Sequence, residues 1–227
     1  ARSILSFDYA ATGCRTYLAV HNGIAVQPVL GSRSTYTRAL VGGLDGRALK
    51  AGDILPIGKG FGYPAQAAAL PEPFVPHYGR EFTLRVIMGP QDDLFTPDGI
   101  RTFLEEPFTV SNEADRMGYR LIGPKIEHAG SADILSDALP EGAVQVPAHG
   151  MPIVMMADRQ TTGGYPKIAT VIGPDLALLA QGRPGDTVRF RSCSDQEALT
   201  ALRDEAMRYH QMQRLLEEQQ ALAWTQC

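Results

Sequence analysis

Phe82, Leu84, Val86 and Met88 alternate with Thr83 and Arg85, the period of two that sets one face of a strand against a core. Short β-branched and aromatic runs predict further strands over 108–111, 119–122, 143–146, 153–157, 168–172 and 187–191. Many short strands at close spacing suggest closure into a barrel. Between the first two, Thr96 stands before Pro97, an N-cap followed by proline at the first helical position, so a short helix is expected through Glu105.

The pattern changes at both ends of this region. Ser194 and Glu197 form a capping box, and Leu199, Leu202, Ala206, Tyr209 and Leu216 follow at helical spacing. One long terminal helix is expected over 193–227, its apolar stripe packed on the barrel. Upstream, 17–20 and 24–29 alternate with Gly31, Gly42, Gly43 and Gly52, a pattern that reads as β-sheet. Pro64, Pro71, Pro73 and Pro76 then interrupt any ladder. The expected division is therefore 1–58 as a β lobe, 59–80 as a linker, 81–192 as a β-barrel and 193–227 as a helix. The fold class is mainly β.

Charge and cysteine content narrow the partners. A net charge of -4 gives no field that draws nucleic acid or anionic lipid. Cys14, Cys193 and Cys227 have no CxxC spacing, which suits a reducing compartment. No apolar run reaches the roughly 18–20 residues of a membrane span, and the expected location is cytoplasmic. His21, His77, His128, His149 and His210 lack metal-ligand spacing, so no metal is expected. There is no GxxxxGK[ST] loop and no GxSxG elbow. None of Lys50, Lys59, Lys125 and Lys167 has the Met-Lys-Met setting of a biotin carrier.

Polar chemistry concentrates in 158–167, which directly follows an apolar strand. Gly163 and Gly164 permit close backbone approach to a ligand, and Gln160, Thr161, Thr162, Tyr165 and Lys167 surround them with polar groups. Asp158 is a base candidate or an orienter of Lys167, which reads as a surface lysine. The same stretch equally suits a polar β-hairpin whose double glycine supplies positive φ. A second cluster holds Asn112, Arg116 and Arg120. The two arginines suit bidentate anion binding, or the charges simply solvate a turn.

Asp115-Arg116-Met117-Gly118-Tyr119-Arg120-Leu121, then 142–147 (GAVQVP), then 158–172 ending PKIATVI, resemble in order the family of 5-oxoprolinase C subunits. That family is also described as KipA-like, allophanate hydrolase subunit 2-like or biotin-dependent carboxyltransferase proteins. Upstream, 17–20 (YLAV), 31–36 (GSRSTY) and 46–53 (GRALKAGD) match the same family. The family's opening VQDxGR-type motif is missing, so the chain reads as truncated, and Ile122 replaces a common Glu.

The resemblance implies cyclophilin-like β-barrels and a non-autonomous subunit of an ATP-dependent 5-oxoprolinase, which opens the lactam of 5-oxoproline to L-glutamate. It implies two further 5-oxoprolinase subunits as partners, one KipI-like and one LamB/YcsF-like, with ATP bound at the level of the complex. Under it Asp158, Lys167 and Arg116 are the catalytic candidates. Asn112, Arg120, Gln145, Gln160, Thr161, Thr162, Gly163, Gly164 and Tyr165 are the substrate-binding candidates. The alternative is carboxyl transfer to an amide nitrogen from carboxybiotin carried by another chain, or a non-catalytic regulatory partner of a KipI-like protein.

Overall fold

The computed structural model describes residues 4–60 and 69–224, and the chain divides into two compact units. The larger unit carries β1 (Glu81–Met88), β2 (Phe108–Val110), β3 (Gly118–Ile122), β4 (Asp137–Ala138), β5 (Ala143–Gln145), β6 (Ile153–Met155), β7 (Thr162–Gly163), β8 (Lys167–Val171) and β9 (Thr187–Ser192). Seven of these strands close into a barrel in the order β1-β8-β5-β6-β3-β2-β9, and β4 pairs with β7 outside it. Closure comes from β1 and β9, which run parallel from Glu81↔Thr187 to Val86↔Ser192, while the other barrel pairs are antiparallel. A fully closed sheet leaves no edge exposed along its circumference.

The alternation along β1 does what its pattern predicts: Phe82, Leu84 and Val86 are buried in the barrel core with Phe103, Phe108, Val188 and Phe190. Helix α1 (Pro97–Glu105) plugs this core, its N-terminus fixed by Thr96, whose Oγ1 accepts the Gly99 N–H at 2.9 Å. A Cβ at position 99 would lie 2.3 Å from the Glu127 carbonyl oxygen, so glycine alone allows the helix to seat this closely. Phe103 then stacks on Phe190 with ring centroids 4.4 Å apart.

A helix that the periodicity does not reveal, α2 (Gly173–Leu179), follows β8. Pro174 stands in its first turn, where proline is well suited. Asp175 of α2 is buried and accepts the Arg85 backbone N–H at 2.7 Å, Nε at 3.0 Å and Nη2 at 2.6 Å. That network ties α2 to β1, and the hydrogen-bonded Asp175 carboxylate raises the affinity of Arg85 for its proton.

Helix α3 (Asp195–Trp224) begins with the predicted capping box: Ser194 Oγ accepts the Glu197 N–H at 3.2 Å and Glu197 Oε2 accepts the Ser194 N–H at 2.9 Å. Ser194→Ala is expected to cost about 1 kcal/mol, read as a lower melting temperature with increased amide exchange confined to the first turn of α3. The predicted apolar stripe, however, does not pack on the barrel along its length. Leu199, Leu202 and Tyr209 are exposed, and contact is made by the small residues Ala198 and Ala201 against Ile87, Ile172 and Cys193. Alanines let the helix axis approach the wall, which the bulkier stripe would hold off.

Residues 4–15 belong to the barrel unit. Gln181 Oε1 accepts the N–H groups of Cys14 and Arg15, both at 2.9 Å, and Arg183 Nε donates to the Gly13 carbonyl at 2.7 Å. In the smaller unit, 16–69 with 218–227, the expected sheet is absent among the described residues. Only the isolated bridges Ile24↔Ile57, Val29↔Ser32 and Tyr36↔Val41 form there. Left-handed backbone at Asn22, Leu30, Leu40 and Asp45 reverses the chain before a ladder can extend. Asp53 stabilises one such reversal by accepting Arg47 Nη1 at 2.8 Å, Arg47 Nη2 at 2.9 Å and the Lys50 N–H at 2.7 Å, which holds its carboxyl far below the usual range.

Candidate functional site

The two-stranded ribbon of β4 with β7 organises the polar residues. It stands beside a small apolar cluster of Leu139, Ala143 and Met155, separate from the barrel core. Backbone bonds from Leu139 N–H to the Thr161 carbonyl and from Ile134 N–H to the Gly164 carbonyl, each 2.9 Å, continue the ribbon on both sides.

Lys167 opens β8 beneath this ribbon and is 1 % exposed, so it is not the surface lysine that its polar neighbours suggest. Its Nζ donates to Asp137 Oδ2 at 2.6 Å and to the Ala138 carbonyl at 3.2 Å. Gln91 brackets the same residue: its N–H donates to the Lys167 carbonyl at 3.1 Å, its Oε1 accepts the Lys167 N–H at 3.1 Å, and its Nε2 donates to Asp137 Oδ2 at 3.3 Å. Asp137 is half exposed, and its carboxyl is held below the usual range first by the Lys167 hydrogen bond and then by the Ala138 N–H. The ion pair's contribution to stability is therefore present above the free carboxyl value near ~4 and is lost as pH falls through the lower folded-state value.

Gln145, paired with Lys167 in the ladder, is also buried, and its Nε2 donates to the Tyr165 carbonyl at 3.2 Å. This gives Gly163 a role other than the positive φ of a hairpin turn. Neither Gly163 nor Gly164 has a positive φ, and a Cβ at Gly163 would lie 2.5 Å from Gln145 Nε2. Gly163 is small so that the amide of Gln145 can lie beneath the ribbon. Gly163→Ala is expected to destabilise the chain by about 1–3 kcal/mol, seen in chemical denaturation together with loss of the shielded Gln145 side-chain amide signal in NMR spectra.

Asp158 and Arg116 lie elsewhere. They flank the paired residues Met155 and Gly118, whereas Gln145 of β5 pairs with Ile153, at the other end of β6, and with Lys167 of β8. The expectation that Asp158 orients Lys167 is corrected on this point: the 158–167 segment travels from one end of the barrel wall to the other, and the carboxylate on Lys167 is that of Asp137. Asp158 instead forms a bidentate pair with Arg116, Oδ2 to Nε at 2.7 Å and Oδ1 to Nη2 at 2.9 Å, both residues about half exposed. The anion that Arg116 clamps is thus a carboxylate of this chain. Arg120 faces Glu113 at 3.3 Å on the barrel exterior, and Asn112, Gln160, Thr161 and Thr162 are polar residues at or near the surface, with Tyr165 41 % exposed beside the ribbon.

The structure thus gathers Gln145, Lys167 and the 161–165 backbone, and leaves Asp158 and Arg116 apart. Gln91 and Asp137 complete the gathered group and have no signal in the sequence, since both sit in short polar stretches far from Lys167. Among the described residues, no group of three or more His, Cys, Asp or Glu could hold a metal ion, and no helix is long and apolar enough to cross a membrane.

Comparison with known proteins places these features in context. The family described as Carboxyltransferase domain, subdomain A and B, matches residues 1–192. The chain is 42% identical over 200 residues to the C subunit of 5-oxoprolinase from Escherichia coli (strain K12), covering 88% of this chain and 63% of that protein. The corresponding protein of Haemophilus influenzae is 37% identical over 218 residues, 96% of this chain and 69% of its own length. The chain therefore spans less than two thirds of the E. coli relative. Among solved structures, K. lactis urea amidolyase superposes with a TM-score of 0.74 at 31% identity, over 83% of this chain and 12% of that one.

Proposed function

The chain belongs to the carboxyltransferase domain family, subdomain A and B, and from that premise we propose that it is one of the subunits of an ATP-dependent 5-oxoprolinase, opening the lactam of 5-oxoproline to L-glutamate. The observation that carries this reading is the 42% identity over 88% of the chain to a 5-oxoprolinase C subunit. Opening a lactam requires donors for the negative charge that develops on its carbonyl oxygen and a fixed place for its carboxylate. Lys167 and Gln91 are the donors proposed for these tasks, with Gln145 and Tyr165 shaping the wall beside them. Asp158 and Arg116, as a mutually satisfied pair, are assigned to fixing the ends of β3 and β6. Asn112, Arg120, Gln160, Thr161 and Thr162 are assigned to the exposed approach to the site.

ATP is not placed on this chain, which has no phosphate-cradling glycine loop. It is assigned to the complex with a KipI-like and a LamB/YcsF-like protein, acting in the cytoplasm. The likeness to K. lactis urea amidolyase favours a second reading, carboxyl transfer from carboxybiotin on another chain. ATP turnover by the reconstituted complex separates the two. Turnover stimulated by 5-oxoproline and indifferent to avidin supports the lactam reading. Turnover abolished by avidin, with no response to 5-oxoproline, would replace it with carboxyl transfer.

A further inference from the structure

Two donors held by the barrel wall converge on one carboxylate oxygen: Lys167 Nζ at 2.6 Å and Gln91 Nε2 at 3.3 Å both reach Asp137 Oδ2. The donors and their acceptor differ in how firmly they are held. Lys167 is 1 % exposed at the start of a barrel strand, and Gln91 is locked to its backbone by two further hydrogen bonds. Asp137 is half exposed and sits on a strand of two residues, both at the surface. The ammonium also uses only part of its capacity, since its two protein acceptors are Asp137 Oδ2 and the Ala138 carbonyl and an ammonium carries three donors.

We infer that Lys167 and Gln91 form a carboxylate-binding subsite, and that Asp137 fills it as an exchangeable internal carboxylate until the carboxylate of a small-molecule ligand replaces it. The inference deepens the lactam reading and rests on its placement of the site at Lys167. The chemistry of exchange is balanced at every step. A carboxylate leaves, a carboxylate enters, the buried ammonium keeps a counter-charge, and Asp137 is already half in water and loses little by turning outward. A ligand with no carboxylate would have to strand the ammonium, so the arrangement selects for monoanionic carboxylates over neutral amides. It also excludes water from the lysine while no ligand is present.

The chain has four lysines, Lys50, Lys59, Lys125 and Lys167, so its 13Cε-lysine NMR spectrum is small enough to assign by the loss of one signal in Lys167→Met. Acetate is the probe, titrated at constant ionic strength against a chloride control. Because a tethered carboxylate competes at an effective concentration on the order of millimolar or above, Asp137→Asn is expected to shift the Lys167 signal saturably with a half-saturation at least ~10-fold lower than wild type. Gln91→Leu added to that variant is expected to weaken the response. In wild type the same shift is expected at correspondingly higher acetate, so a variant that fails to fold does not remove the test.

A Lys167 signal that acetate moves no more than chloride does, in wild type and in Asp137→Asn, overturns the inference. So does equal half-saturation in the two proteins. A parallel titration with 5-oxoproline separates the exchange from the lactam chemistry. Response to acetate without response to 5-oxoproline leaves the exchange standing and contradicts the lactam reading. Response to neither overturns the exchange whatever the complex catalyses.

Discussion

Replacing Lys167 with methionine is expected to lower the activity of the reconstituted complex by about 10²–10³-fold, the usual effect of removing one preorganised donor from a site of developing charge. The same variant is expected to remain folded, with a stability within about 2 kcal/mol of wild type. The two halves of this result have different origins. Lys167 is buried and its ammonium is fixed by Asp137 Oδ2 and the Ala138 carbonyl, so its loss leaves the site with the neutral amide of Gln91, 3.3 Å from the same Asp137 oxygen, and no cationic donor. Methionine nearly conserves the side-chain volume, and the orphaned Asp137 is half exposed, so water can satisfy it. Steady-state kinetics and urea denaturation on the same preparation check both. An active Lys167→Met complex would remove Lys167 from the site.

Phe190→Ala is expected to cost about 3–5 kcal/mol, a large part of the roughly 5–15 kcal/mol that typically holds a domain together. Phe190 lies on β9, the strand that closes the barrel by pairing with β1 and β2. Its ring stacks on Phe103 at 4.4 Å and meets Phe108 at 5.9 Å, so truncation opens a cavity shared by α1, β2 and β9. Backbone closure prevents these elements from collapsing inward to fill it. Guanidinium denaturation should show a lower midpoint with an unchanged slope. A shift worth less than ~1 kcal/mol would mean that this ring cluster is not the barrel's mechanical centre.

What was legible in the sequence was what local chemistry encodes. The alternation of Phe82, Leu84 and Val86 needs only a period of two, and the Thr96 and Ser194 caps need only neighbours within three residues. The barrel strands followed from the same signal, with end points within a few residues of those observed. Nonlocal pairings left no such trace. Asp137 meets Lys167 across 30 residues and Gln91 meets Lys167 across 76, and neither spacing has a periodicity to betray it. The contiguity of 158–167 suggested one loop-borne site, whereas its length lets it traverse the barrel wall and divide its residues between two ends. The apolar stripe of α3 misled for another reason: a helix packs by whichever face fits closest, and Ala198 with Ala201 fits the wall where Leu199 and Leu202 do not.

Glutamate formation from 5-oxoproline is the decisive measurement, made in the reconstituted complex with this protein present, omitted, or replaced by Lys167→Met. Lactam opening that depends on Lys167 predicts ATP-dependent glutamate release when every component is present, none when this one is left out, and a remnant of about a hundredth or less with the variant. Full glutamate release in its absence would contradict the assignment.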